Sequence, residues 1–129
     1  MSDDGVCDFS IDGDYDGDTP SFFVEKIVAA RKSHACNECG SVIAPREKYR
    51  RVSGKWDDEV RSYCFCLPCE ETAGEFFESN SSRTFGTLWE EIENNWDHGA
   101  HLQACLNRLT TVAAKEHMRR RWMQWKGLA

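Results

Sequence analysis

Two short stretches decide how this chain is read: HACNECG at residues 34–40 and YCFCLPC at residues 63–69. Each holds a Cys-x-x-Cys pair, Cys36 with Cys39 and Cys66 with Cys69, and 26 residues separate the pairs. Two intervening residues let the chain turn tightly enough for both thiolates to reach one ion. Two such pairs supply the four sulfurs that zinc takes in a closed tetrahedral site. Gly40, just after the first pair, suits the turn because it tolerates positive φ. The stretches therefore read as one structural Zn2+ site built from Cys36, Cys39, Cys66 and Cys69.

Two neighbours compete for a place in that site. Cys64 lies two residues before Cys66, so on a strand both point to the same face. It either replaces Cys66, in a Cys-x4-Cys pair, or stands as a small buried residue beside the metal. His34 precedes the first pair and is either a ligand or an exposed or outer residue, since four thiolates already saturate the ion.

Between the pairs, EKYRRVS (47–53) and EVRSYCF (59–65) are rich in Tyr, Val and Phe. GKWDD separates them, with Gly54, Asp57 and Asp58 as turn formers, which predicts a β-hairpin. After Cys69, EETAGEFFES reads as a helix from about Pro68 to Phe77, ended by SNSSR at 79–83. Pro68 fits its first turn, and the helix dipole there favours thiolate. The order knuckle, hairpin, helix predicts a treble-clef-like zinc module, with a zinc ribbon as its competitor.

The remaining segments give an α+β chain. Residues 21–33 carry a short apolar cluster that fits a strand or a short helix. Thr87 and Glu90 form a capping-box pattern ahead of a helix over 87–96, with Leu88, Trp89, Ile92 and Trp96 at helical spacing. Leu102, Cys105, Leu106 and Leu109 mark a short helix. Thr111 caps a last one, with Val112, Ala114, Met118, Trp122 and Trp125 as its apolar members, stopped by Gly127. The expected organisation is an acidic flexible arm at 1–20, a zinc module at 21–79, and two or three helices within 80–129 packed on it. In the arm, Asp12, Asp14, Asp16 and Gly17 match the first half of an EF-hand loop. Phe23 stands where the bidentate Glu should be, which argues against calcium.

Seven cysteines, an odd number, occur without a signal peptide, so metal ligation in a reducing cytoplasm is expected over a disulfide framework. Cys105 reads as core packing, and Cys7 has no role in this reading. No apolar run spans a bilayer, and a soluble protein follows as the expectation. Catalysis is not expected. Four thiolates leave no open metal position. The HxE and PCxxC order of zinc deaminases is missing, and no nucleophile elbow or phosphate loop is present. A small-molecule substrate is not expected either.

The run ARKSHACNECGSVIAPREKYRRVSGKWDDEVRSYCFCLPC resembles a segment of small phage- and prophage-encoded zinc-finger proteins. Shared features are the basic lead-in, the knuckle, the hairpin around VSGKWD and the closing cysteine pair. The terminal RRRWMQWKGLA is similar to their ends. The chain departs from the pattern at Asp58, where a Gly often follows Trp-Asp. The resemblance implies a viral origin, a zinc module ligated by residues 36, 39, 66 and 69, and no particular activity.

The net charge of −6 hides alternating blocks: −7 over 1–20, +3 over 21–69, −7 over 70–98 and +5 over 99–129. The leading functional expectation is an accessory protein that binds and modulates a host protein, a defence or host-takeover target, in the host cytoplasm. Contact residues would come from Lys48, Arg50, Arg51, Lys55, Trp56 and Arg61 of the hairpin and from Arg119, Arg120 and Arg121, because Arg and aromatic side chains dominate interface energy. Trp122 and Trp125 read first as core. The alternative is a nucleic-acid-binding zinc finger, in which alternate strand positions put several hairpin cations on one face along the phosphates. The overall negative charge opposes it. A third reading makes the acidic blocks a DNA mimic.

Overall fold

The computed structural model describes residues 5–11, 22–56, 58–78 and 85–128, and for Phe22, Phe23 and Trp56 only the backbone. The chain is a mixed α+β fold of five strands and four helices in these residues. The strands are β1 (Phe22–Ala29), β2 (His34–Ala35), β3 (Val42–Ile43), β4 (Lys48–Trp56) and β5 (Glu59–Cys66). The helices are α1 (Leu67–Phe76), α2 (Leu88–Asp97), α3 (Leu102–Leu106) and α4 (Val112–Lys126). The ambiguous segment before the first cysteine pair is thus a strand. It finds a full-length antiparallel partner in β4, from Phe22↔Lys55 to Ala29↔Lys48. β4 pairs in turn with β5, from Tyr49↔Cys66 to Trp56↔Glu59, giving the order β1-β4-β5. Asp58 closes the hairpin at φ 64. This is the left-handed conformation, and it explains why a glycine would also fit at the position.

Alternation sorts the sheet into two unlike faces. Val52 and Phe65 point to one face and are buried. Phe65 and Tyr63 meet the Phe85 ring there, at 5.1 and 4.9 Å. Arg50 shares this face and joins the sheet to α1 through Glu25 of β1 and Glu70 of α1. The opposite face carries Tyr49 and Cys66 at its lower end, both buried, and Lys26, Arg51, Ser53, Ser62, Lys55 and Val60 above them.

α1 starts where β5 stops, with Cys66 as its N-cap residue and Pro68 in its first turn. α4 packs across α1. Its inward stripe runs through Ala114, His117, Met118, Arg121, Trp122 and Trp125, spaced three and four apart. Ala114 and Met118 are fully buried. Thr111 caps α4 as expected, its hydroxyl accepting from the Ala114 N–H at 3.1 Å. α4 ends at Gly127 in the left-handed conformation.

The capping box expected at α2 is not formed: the Thr87 side chain makes no capping bond. The Glu38 carboxylate, from inside the first Cys-x-x-Cys pair, accepts the Gly86 and Leu88 N–H groups at 2.8 and 3.2 Å instead. An anion from the knuckle serves the exposed donors and positive dipole end of a distant helix.

Part of the N-terminal stretch is anchored to the fold among the described residues. Ile11 is buried and bridges Phe77, with Ile11 N–H donating to the Phe76 carbonyl at 2.7 Å and Glu78 N–H to the Ile11 carbonyl at 3.0 Å. Gly5 adopts φ 72 against the His101 side chain, where no Cβ fits. The EF-hand-like stretch lies outside the described residues, apart from the Phe23 backbone. Among the described residues, no helix is long and apolar enough to cross a membrane.

Candidate metal centre

The first cysteine pair sits in a knuckle set up by a two-residue ladder, His34↔Ile43 and Ala35↔Val42. Gly40 takes φ 76 and donates to the Cys36 carbonyl at 2.9 Å, which closes the turn. The second pair straddles the β5–α1 junction, so Cys66 leaves the sheet and Cys69 lies in the first helical turn. The knuckle is sewn to β5 by Asn37, whose N–H donates to the Cys64 carbonyl while its Oδ1 accepts the Cys64 N–H, both at 2.7 Å.

These elements bring the Sγ atoms of Cys36, Cys39, Cys66 and Cys69 within 4.8 Å of one another. Cys36, Cys66 and Cys69 are buried and Cys39 is half-buried. The surroundings are arranged for negative sulfur. Cys36 Sγ accepts from Glu38 N–H at 3.4 Å and Cys66 N–H at 3.3 Å. Cys39 Sγ accepts from Ser41 N–H at 3.4 Å. Cys69 Sγ accepts from the Trp89 indole N–H at 3.3 Å and lies 3.5 Å from His117 Nε2. Donors aimed at sulfur favour thiolate over thiol.

The four groups do not ionise alike without a cation. Next to Cys36, the Cys39 sulfur, which ionises first, opposes ionisation, but hydrogen bonds from Cys66 and Cys69 outweigh it and hold Cys36 at about 6. Hydrogen bonds from Cys36, Cys66 and Cys69 hold Cys39 well below the usual thiol range. Cys66 and Cys69 are pushed up, first by the Cys36 and Cys39 sulfurs to which they donate, and further by burial. Four negative sulfurs this close need a cation between them, and a bound divalent ion deprotonates thiols outright. The donor set therefore fits a metal ion held by four thiolates, with no carboxylate joining the cluster among the described residues.

Cys64 stays outside the cluster. It is half-buried on the same strand face, and desolvation is the main cause that raises its thiol pKa. His34 is also outside, its ring 5.1 Å from the Tyr49 ring.

His117 was not singled out from sequence, although it lies on the buried stripe of α4, where a histidine signals a polar partner. Burial alone would lower its pKa, but the negative charge on Cys39 outweighs burial and raises it. Trp89 of α2, packed 5.4 Å from the His117 ring, shares the same sulfur. Helices α2 and α4 thus each place a side chain on Cys69. Nothing in the residue spacing links Glu38, Trp89 or His117 to the cysteines before the fold is known.

The basic residues expected to form a binding surface are divided by the fold. Arg51 and Lys55 share with Lys26 the sheet face opposite Val52 and Phe65, the outer face. Arg50 is on the inner face in its ion pairs, and Arg61 pairs with Glu59 at 2.7 Å. Lys48 is exposed at the start of β4, and the Trp56 side chain lies outside the described residues. In α4, Arg119 is exposed and Arg120 reaches Glu116 at 3.7 Å. Arg121 instead turns inward, paired with Glu93 at 3.0 Å and lying over Trp89 at 5.4 Å.

A second cysteine site corrects the expectation that all seven thiols stay reduced. Cys7 and Cys105 form a disulfide. Cys105 is buried in the core as expected, and its partner accounts for Cys7. Arg108 reinforces the join by donating to the Cys7 and Phe9 carbonyls at 3.1 and 2.8 Å and to Glu75 Oε1 at 3.1 Å. Its guanidinium lies 4.1 Å from the Phe76 ring centroid. Compared with known proteins, the chain matches no family model, no curated protein and no solved structure.

Proposed function

We propose that this chain is a non-catalytic zinc protein whose metal centre holds a treble-clef-type module and whose outer sheet face docks on a partner protein. The metal reading draws on the four converging thiols and the donors already committed to their sulfurs. Zn2+ is the ion that a closed set of four thiolates selects. Knuckle, hairpin and a helix opening on the second pair follow one another as in a treble clef. Zinc there would supply cross-linking of the knuckle to the β5–α1 junction and no reaction.

The observation that carries the docking role is the charge segregation of the sheet. Its outer face presents Lys26 and Arg51 among Val24, Ser53, Ser62 and Val60, and the three strands contribute no carboxylate to it. Glu25 and Glu59 both lie on the opposite face. Val24 and Val60 are exposed, at 46% and 67%. Cations around exposed aliphatic side chains suit an acidic protein surface. By its likeness to phage-encoded proteins, that partner is a host protein.

The test is affinity capture from host lysate with zinc measured on the same sample. One zinc per chain and a specific partner lost by Lys26→Glu with Arg51→Glu is expected. Retention of every partner by that double variant would overturn the docking surface. The same face favours a second reading, a nucleic-acid backbone, because spaced cations without acids also track phosphate. A gel shift at low salt that weakens steeply with added salt would select it, and no shift at low salt removes it.

A further inference from the structure

We infer that the end of the sheet next to the knuckle binds the phosphate backbone of nucleic acid through Arg31, Lys32, Arg46 and Lys48. Two segments form it: residues 30–33 between β1 and β2, and residues 44–48 leading from β3 into β4. The backbone locks them side by side. Ala29 and Lys48 are the last paired residues of β1 and β4. Beyond them Ala30 N–H donates to the Glu47 carbonyl at 2.9 Å, and Arg46 N–H donates to the Ala30 carbonyl at 2.7 Å. Arg31 and Arg46 therefore leave the sheet next to each other, with Lys32 and Lys48 within two residues of them. None of the four is a proposed metal ligand or lies on the outer sheet face, so the inference is independent of both roles.

Three observations define the ligand. All four cationic residues are exposed, and none forms an ion pair among the described residues. The one carboxylate of the two segments, Glu47, turns back to accept the Ala44 N–H at 3.4 Å. Like charges gathered in this way repel one another, and a polyanion relieves the repulsion. Arg46 adopts φ 75, the left-handed conformation that glycine takes without strain and arginine does not. Its bond to Ala30 and the Glu47 N–H bond to the Ala44 carbonyl at 3.0 Å hold it there. The strain is kept although the Arg46 side chain makes no ion pair within the fold, which points to a contact with a ligand. The other residues of the two segments are Ala30, Ser33, Ala44 and Pro45, so no large apolar side chain accompanies the charges. The outer sheet face sets its cations among valines, as suits a protein surface. This end offers ammonium groups and forked guanidinium donors, which match phosphate oxygens along a backbone.

The experiment is fluorescence anisotropy of a labelled DNA duplex of mixed sequence, titrated with the zinc-loaded full chain over a range of salt concentrations. Expected is saturable binding at low salt, with log affinity falling against log salt at a slope of about −3.6 for four phosphate contacts. Unlabelled duplex should displace the probe at lower charge concentration than polyglutamate does, because its charges are more densely spaced. Arg46→Gly removes a charge and relieves the backbone, so the fold is kept while the slope becomes shallower by about one; Arg31→Gln should do the same. Lys26→Gln with Arg51→Gln, on the outer sheet face, should leave the slope unchanged. The inference is overturned if no binding occurs at low salt, if Arg46→Gly and Arg31→Gln keep the parent slope, or if polyglutamate displaces the probe as well as duplex does. It is also overturned if only the outer-face pair loses binding, which would place the nucleic acid on the sheet face instead.

Discussion

Cysteines meet in two places in this molecule, and in two different ways. Around residues 36–69, four thiols converge from a knuckle and a strand–helix junction, with N–H donors turned toward their sulfurs. Between Cys7 and Cys105, two thiols have joined directly, flanked by an arginine that binds backbone carbonyls. The first site needs its sulfurs reduced and ionised, and the second needs them oxidised. They differ in local chain geometry. Cysteines with two residues between them preorganise a chelate, whereas cysteines on separate segments meet only when the tertiary fold delivers them. What surrounds a sulfur, and how it was brought there, decides which bond it makes.

Removing the metal centre should break this comparison most severely. Cys69→Ser, or chelation of the parent, should abolish the cooperative fold, since structural zinc contributes roughly 10–16 kcal/mol of apparent binding energy in small fingers. Near-ultraviolet circular dichroism would show it, and a native-like melt after chelation would refute the structural role. Cys105→Ser should cost about 2–5 kcal/mol in denaturant unfolding while zinc content stays at one per chain. Loss of zinc from that variant would mean that the two sites are one cooperative unit. Arg108→Met keeps the disulfide but leaves the Cys7 and Phe9 carbonyls without their donor, and should cost about 1–3 kcal/mol. The N-terminal amide protons would exchange faster with solvent, and unchanged exchange rates would show that the disulfide alone fixes the segment.

The smallest effect concerns the joint between the two regions. Glu71 of α1 accepts from Thr110 N–H, Thr111 N–H and the Thr111 hydroxyl, at 2.7, 3.2 and 2.6 Å. Desolvation raises its pKa, but these bonds outweigh it and hold the carboxyl below the ordinary 4.5. Its contribution is complete above that value and fades as pH falls through the lowered native one. Glu71→Gln should therefore weaken the protein at neutral pH by under about 1 kcal/mol and flatten its loss of stability in acid. Parallel acid profiles of parent and variant would contradict this.

Local signals in the sequence were enough for most elements. The hairpin, α1, α2 and α4 follow from turn residues, a proline and apolar spacing, each of which acts over a few positions. β1 was undecided because its apolar run is short, and only pairing with β4 settles it. At the site, the four cysteines announce themselves by spacing. Trp89, His117 and Glu38 do not, because their roles come from segments that meet only in space. The α2 cap shows the same limit: a local Thr87–Glu90 pattern lost to a carboxylate from the knuckle. The disulfide was missed for that reason too, since nothing near Cys7 points to Cys105.

The position of the cysteines along the chain also sets an order of assembly during synthesis. All four metal ligands have left the ribosome once Cys69 has emerged, while α2, α3 and α4 are still to come. On the metal reading proposed above, the cluster can take its ion at that point, and the Trp89 and His117 side chains that meet Cys69 arrive later. Cys7 must remain unpaired until Cys105 appears, and an ion taken up early would occupy Cys36, Cys39, Cys66 and Cys69 and leave Cys64 as the one intervening thiol able to capture it.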